Sequence, residues 1–405
     1  MSADVSPVLP GSPGSSVSPA LPWLRRATVD LEAYRANLRH LQAVVAPADL
    51  MAVVKADGYG HGATTMAAAA VEAGVTWLGA LELANAHELR AAGITDAVAI
   101  LAWQFAPTET FERAVAERID LGLSSMLQLE AVARGVRAVA AAMAPDAPRT
   151  AAIENPALVH LNVDTGLHRD GASPADWDAL VRYAVELRDA GILRLRGVYS
   201  HLAEASDDED SESAAALAEA VARAEELGAR FERRHLTASS AGLERPELRL
   251  DMVRMGANTY GIPVTEGITA RDCGLTPVMT LSARIARTKR IARGTGVSYD
   301  YTWRAPRDTT VALVPIGYAD GISRRSQHGA TVAVRGKRYR IVGRVAMDQF
   351  LIDVGDDPIV VGDEATLFGS GSQGELTVAE WADVIGTIGE EIVCGLGPRV
   401  PRVYV

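Results

Sequence analysis

An α/β fold, a closed (β/α)8 TIM barrel followed by a C-terminal mostly-β domain, is predicted by three features of the sequence. Between residues 50 and 254, eight short apolar or β-branched runs alternate with Ala/Leu/Glu/Arg-rich stretches of helical period, as in repeated βα units. Eight such units in one continuous segment favour closure over an open sheet. After about Gly261 the runs lose their intervening helices and are punctuated by turn residues such as Gly294, Gly336 and Gly355, which marks a change to β architecture.

In chain order, residues 1–22 are rich in Ser, Pro and Gly. They read as a flexible tail, because a secretory signal needs a basic start and a continuous apolar segment. Asp30 is placed to cap an amphipathic helix through Leu31, Tyr34, Leu38 and Leu41. Barrel strands are expected at 50–55, 76–80, 97–102, 119–123, 158–164, 195–200, 235–239 and 250–254. The barrel then occupies 23–262, with 23–30 free to pair with the β domain, and the β domain occupies 263–405. Strand-like runs in the second domain cover 278–291, 310–316, 331–345, 350–354 and 365–368, with one helix near 377–385. The acidic tract at 206–213, SDDEDSES, is expected as a solvated loop leading into a helix over 213–234.

Composition narrows the function. A formal charge of −11 and a 48% hydrophobic content describe a globular protein whose surface repels phosphate backbones and anionic membranes. A small-molecule substrate is the default, with no nucleic-acid partner. No run approaches the ~20 apolar residues that cross a bilayer. Cys273 and Cys394, the only cysteines, are too few for a disulfide framework and lack metal-ligand spacing, so a reducing cytoplasm and no metal are expected.

Barrel enzymes place their chemistry at the C-terminal ends of the strands. Those ends carry Lys55 on the first strand, Asn162 and Asp164 on the fifth, and His201 on the sixth. Ser239 and Ser240 follow on the seventh, and Arg254 with Gly256 on the eighth. So many polar and cationic groups around one mouth imply a polar, anionic ligand, since they are costly to leave unpaired. A lone strand-end lysine usually just extends its amine to water. Lys55, however, follows four apolar residues and precedes Gly58, Gly60 and Gly62. A desolvated amine beside other cations loses basicity, the condition for Schiff-base chemistry with an aldehyde cofactor.

The segment VVKADGYGHG around Lys55 resembles the cofactor-lysine motif of the alanine racemase family. VHLNVDTGLHRDG, GVYSHLAEA, VRMGANTYG, GVSYDYTW, PIGYADGISR, GRVAMDQF and GPRVPRVYV are similar to further blocks of that family, in the same order. The likeness spans residues 23–405. It implies a pyridoxal 5'-phosphate enzyme that interconverts L- and D-alanine, supplies D-alanine for peptidoglycan, and works as a homodimer with shared active sites.

The resemblance also implies roles. Lys55 carries the cofactor and acts as the base for D-alanine; Tyr59, Ser240, Gly256 and Ala257 hold its phosphate. His201 lies against the pyridine ring and Arg254 faces the ring nitrogen. An arginine there keeps the ring neutral, limits carbanion lifetime and disfavours transamination. Tyr299 is the proton-transfer group on the opposite face, for L-alanine, presented to the partner's barrel. A phenol ordinarily ionises near pH 10, so a tyrosine in this role needs neighbours such as His201 or Arg254. Arg169 and Met347 contact substrate, with Asn162, Asp348 and Tyr318 behind them. Many members have a lysine that can be carbamylated where this chain has Asn162, and a chloride or water is expected to fill the gap. Some have an entrance tyrosine where this chain has Pro398, which widens the expected substrate range. The alternatives are a broader racemase for serine or basic amino acids, another cofactor-dependent barrel enzyme such as a decarboxylase, a non-catalytic cofactor-binding barrel, and a sugar-phosphate-binding barrel.

Overall fold

The computed structural model of the chain describes residues 23–143, 153–265 and 267–405; the tail expected at 1–22 lies outside them. The first strand, β1 (Arg25–Val29), is followed by the helix Leu31–Val45, which Asp30 caps by accepting from the Ala33 amide at 2.9 Å. Tyr34, Leu38 and Leu41 form its buried face. The barrel then closes through β2 (Asp49–Val53), β3 (Trp77–Glu82), β4 (Ala99–Gln104), β5 (Asp120–Leu123), β6 (Ala157–Asn162), β7 (Leu193–Tyr199), β8 (Arg233–His235) and β9 (Met252–Met255). Every neighbouring pair is parallel, including β2 with β9, where Asp49 faces Met252. This is the TIM-barrel architecture predicted from the alternation of runs.

The second domain contributes β10 (Met279–Arg284), β11 (Arg287–Ile291), β12 (Gly296–Val297), β13 (Trp303–Arg304), β14 (Thr309–Val314), β15 (Thr331–Val334), β16 (Lys337–Val342), β17 (Phe350–Gly355), β18 (Glu364–Phe368) and β19 (Arg402–Tyr404). Its nine-stranded sheet runs β11-β14-β17-β16-β15-β18-β10-β1-β19. The N-terminal strand β1 therefore belongs to this sheet, antiparallel to β10 and parallel to β19, with Val29 opposite both Met279 and Tyr404. Chain ends that lie far apart in sequence thus meet beside the barrel.

Several element bounds differ from the sequence expectation. The run at 278–291 is two strands, because the Ile285 amide bonds to Asp363 while the next amide, Ala286, bonds to Leu313; two different partners force a break. The run at 331–345 is likewise a hairpin about Arg335 and Gly336, both left-handed. The acidic tract is not a loop: Ser206 caps a helix, Asp207–Glu226, whose first turn holds Asp207, Asp208, Glu209 and Asp210. Four carboxylates at a helix N-terminus face the positive end of its dipole, so the charge that suggested a loop stabilises the helix instead. The seventh barrel strand ends at His235, and Ser239 opens a short helix, Ser239–Glu244.

Candidate functional site

The C-terminal mouth of the barrel holds a cavity of about 1400 Å³. Lys55, Tyr59, Asn162, Arg169, His201, Ser240, Arg254, Gly256 and Ala257 all line it. These nine come from strand ends and βα loops that are remote in sequence. Tyr299, Met347, Asp348 and Tyr318 do not line this chain's own cavity. Tyr299, Met347 and Tyr318 instead stand exposed on the β domain, at 69%, 56% and 45%.

Lys55, expected as a strand end, lies two residues beyond β2 and opens the turn Lys55–Tyr59, whose backbone is unusual. Ala56, Asp57, Gly58, Tyr59 and Gly60 take φ values of 52°, 53°, 60°, 53° and 73°. Three of these five carry side chains, and each costs roughly 1–2 kcal/mol in the left-handed region. Local bonds offset that: Asp57 Oδ1 accepts from the Ala63 amide at 2.8 Å, and His61 Nδ1 donates to the Tyr59 carbonyl at 2.8 Å. The turn places Tyr59 against Gly256, where a Cβ would stand 2.1 Å from the phenol oxygen. Only glycine admits that contact. The Gly256 amide itself donates to Ser239 Oγ at 3.2 Å.

The electrostatics of the mouth are set by burial and by three cations. Burial first, then the cations of Arg169 and Arg254, push the Lys55 ammonium below its ordinary range, while Glu390 acts in the other direction. Arg254 is buried and tightly held: it donates to His235 Nδ1 at 3.0 Å, His201 Nδ1 at 2.9 Å, and the carbonyls of Ser200 and Leu236 at 2.8 and 2.9 Å. Burial lowers its pKa to about 10, so it is still a cation at neutral pH. Because a guanidinium only donates, both imidazoles must accept at Nδ1 and carry their proton on Nε2. His201, pulled down to about 3 by burial and then by Arg254, is neutral.

That tautomer propagates. His235 Nε2 donates to His160 Nδ1 at 3.0 Å, and His160 Nε2 then donates to Asp120 Oδ1 at 3.2 Å. His160, His235 and Asp120 are all buried inside the barrel, and Tyr199 stacks on His235 with rings 4.8 Å apart and 4° from parallel. The polar chain thus begins at Arg254 and ends on a buried carboxylate beside Arg196. Sequence reading missed it, although VHLN carries the signal of a histidine inside an otherwise apolar strand. It also missed Glu390 and the helix Gly389–Cys394; the helix expected near 377–385 is present as Val378–Ile385, and residues of both helices rim the cavity, a placement the sequence did not signal.

His61 lies behind the site rather than in its lining, fully buried and packed at a 35° tilt against Tyr260 with ring centres 4.7 Å apart. Burial holds its pKa at about 4, against 6.5 when exposed. Between those values the unfolded chain binds the proton more readily than the folded one, so stability falls as pH drops below about 6.5 and the loss is complete near pH 4. The expected loss from this residue is about 3 kcal/mol at 1.36 kcal/mol per unit. His61→Asn, whose amide can replace Nδ1–H as donor, should flatten this acid limb, as measured by urea midpoints at several pH values. An unchanged limb would clear His61 of the effect.

Asn162 Nδ2 donates to Asp170 Oδ2 at 3.2 Å. On the β domain, Tyr299 sits in a kink whose flanking Ser298 and Asp300 both have φ of 61°. The kink is fixed by Asp300 pairing with Arg344 at 2.8 Å and by Ser298 Oγ donating to the Arg344 carbonyl at 2.7 Å. The amides of Tyr318 and Ala319 bond to the carbonyls of Ala346 and Met347. Asp320 beneath them is fully buried between Arg25 and Arg399, at 3.0 and 3.1 Å. The exposed tyrosines therefore stand on a braced surface.

Residues 29–263 match the family described as alanine racemase, N-terminal domain, and residues 278–404 match alanine racemase, C-terminal domain. The chain is 44% identical to the alanine racemase of Thermobifida fusca over 382 residues, covering 93% of this chain and 97% of that one. It is 45% identical to the alanine racemase of Streptomyces coelicolor over 387 residues, covering 94% and 95%. The crystal structure of alanine racemase from D-cycloserine-producing Streptomyces lavendulae superposes with a TM-score of 0.89 at 40% identity, covering 95% of this chain and 97% of that one. Among the described residues no helix is long and apolar enough to cross a membrane.

Proposed function

The chain belongs to the alanine racemase family, and on that premise we propose that its barrel mouth interconverts L- and D-alanine with pyridoxal 5'-phosphate held covalently by Lys55. The observation that carries the reading is the cluster of Lys55, Arg169 and Arg254 around one cavity, with a fixed guanidinium rather than a carboxylate on β9. Three cations suit a ligand bearing a phosphate and a carboxylate. When bound, the cofactor withdraws electrons from the substrate Cα and so makes its hydrogen acidic.

The residues fit that cofactor. Tyr59, wedged on Gly256, stands at the end of the cavity where two short helices begin, one at Ser239 with Ser240 next to it and one at Ala257, and the leading amides of a helix have no partner within it. His201 offers a neutral ring face. Arg254, already committed to two imidazoles and two carbonyls, is disfavoured from giving up its proton and so holds positive charge opposite a ring nitrogen. Arg169 is the candidate for the substrate carboxylate. A chloride or water is expected between Asn162 and Arg169, where one N–H of the Asn162 amide is already given to Asp170; density between the two residues in a crystal decides that point.

Racemisation needs a proton-transfer group on each face of Cα. Lys55 Nζ supplies one. Tyr299 is exposed and outside its own cavity, which supports its acting in the barrel of a second copy, with Met347, Asp348 and Tyr318 beside it. A cytoplasmic homodimer supplying D-alanine for peptidoglycan follows. The reading is tested by polarimetry with L- and D-forms of alanine, serine, lysine and arginine, alanine being the best substrate. A preference for serine or a basic amino acid would favour the broader racemase, to which Pro398 at the expected entrance position points.

A further inference from the structure

We propose that Arg402 and Tyr404, on β19, are positioning residues that clamp the left-handed loop after Lys55 and so fix where Lys55 and Tyr59 meet the cofactor; this rests on the function proposed above. Arg402 Nε donates to the Gly60 carbonyl at 2.8 Å, and the Tyr404 hydroxyl donates to the next carbonyl, His61, at 2.9 Å. These partners are separated by more than 340 residues in sequence. They grip consecutive peptide units at the exit of a loop that is left-handed from Ala56 to Gly60.

The clamp is rigid on its own side. Arg402 also donates to the carbonyls of Leu396, Gly397 and Val400 at 2.7, 2.9 and 2.8 Å, so its guanidinium cannot swing. β19 is locked in parallel register with β1, Val29 lying opposite Tyr404. On the loop side the fit admits glycine alone: a Cβ on Gly62 would stand 2.1 Å from the Tyr404 oxygen, and one on Gly60 2.3 Å from the Val393 carbonyl. Within the loop, His61 Nδ1 bonds back to Gly58 and Tyr59. Loss of the outer clamp therefore frees a backbone that its own φ angles disfavour. Since β19 belongs to the sheet of the β domain, the same contact ties the lysine loop to the domain that presents Tyr299.

Arg402→Ala strips the Gly60, Leu396, Gly397 and Val400 carbonyls of a donor and risks unfolding the C-terminal segment, so Tyr404→Phe carries the test. It keeps the ring and removes one hydroxyl. In the cofactor-free variant, amide hydrogen exchange over 56–62 is expected to quicken roughly 3- to 10-fold, the worth of one hydrogen bond, with barrel amides unchanged. In the full-length protein, the dissociation constant of pyridoxal phosphate, read by loss of the visible band, rises by a similar factor. The thermal midpoint stays within about 2 °C, as for a surface change in a large chain. Exchange and cofactor affinity equal to the wild type overturn the clamp, as does exchange that quickens uniformly along the chain. A wild-type protein that takes up no pyridoxal phosphate would instead overturn the proposed function, while the exchange measurement still decides the clamp.

Discussion

Lys55→Ala is expected to abolish alanine racemisation, by about four orders of magnitude or more, while leaving a folded protein. On the proposed function two roles go with the amine: covalent retention of the cofactor and one of the two proton transfers, the latter alone contributing roughly 10²–10⁴-fold. The fold has little to lose. The Lys55 ammonium is held below its ordinary range by burial and by Arg169 and Arg254, so its removal relieves an unfavourable charge rather than breaking a bond. Local structure at 55 rests on backbone contacts such as Gly58 N to Val54 O at 2.9 Å, which alanine keeps. The urea midpoint of the cofactor-free variant should therefore equal or exceed that of the cofactor-free wild type, a residue of function being destabilising to the fold. Borohydride treatment of the wild type, followed by peptide mapping, should fix the cofactor on Lys55. A label elsewhere, or turnover retained in Lys55→Ala, defeats the assignment.

What the sequence revealed follows from which constraints are local. Strand ends are legible because a polar residue closing an apolar run stands out, and Lys55, Asn162, His201 and Arg254 all reach one cavity. The glycines after Lys55 announced tight backbone, yet not that Ala56, Asp57 and Tyr59 share the left-handed region with them. Partners supplied by distant segments left no trace. Ser239 looked like a strand end, but it opens a helix and its oxygen serves the Gly256 amide, with Ser240 beside it on the cavity wall. The chain from Arg254 through His235 and His160 to Asp120 is invisible for the same reason: its members sit on four different strands, and only barrel closure brings them together. Charge misled at 206–213, because a carboxylate-rich run reads as solvated unless the helix dipole it caps is already known.

On the proposed function, in which the Tyr299 hydroxyl is the proton-transfer group, Tyr299→Phe should lower racemisation roughly 10³-fold while pyridoxal phosphate binds within about 3-fold of normal. Direction cannot be read from steady-state rates alone. L- and D-alanine are mirror images of equal free energy, so the two values of kcat/KM must fall together whichever face is damaged. Exchange of the α-hydrogen separates the faces. In deuterated water the variant should still wash deuterium into D-alanine through Lys55, and should do so far more slowly into L-alanine. Rapid exchange into L-alanine would place the lost group on the wrong face. The exposure of Tyr299 outside its own cavity makes a second demand. If it serves the partner's barrel, subunits carrying Lys55→Ala and subunits carrying Tyr299→Phe, each inactive alone, complement when mixed, because one site of each heterodimer then joins an intact Lys55 to an intact Tyr299. Random 1:1 exchange makes half the dimers mixed with one working site each, so activity returns to about a quarter of the wild type. A tyrosine acting within its own chain gives no recovery at all, because each subunit then keeps its own defect.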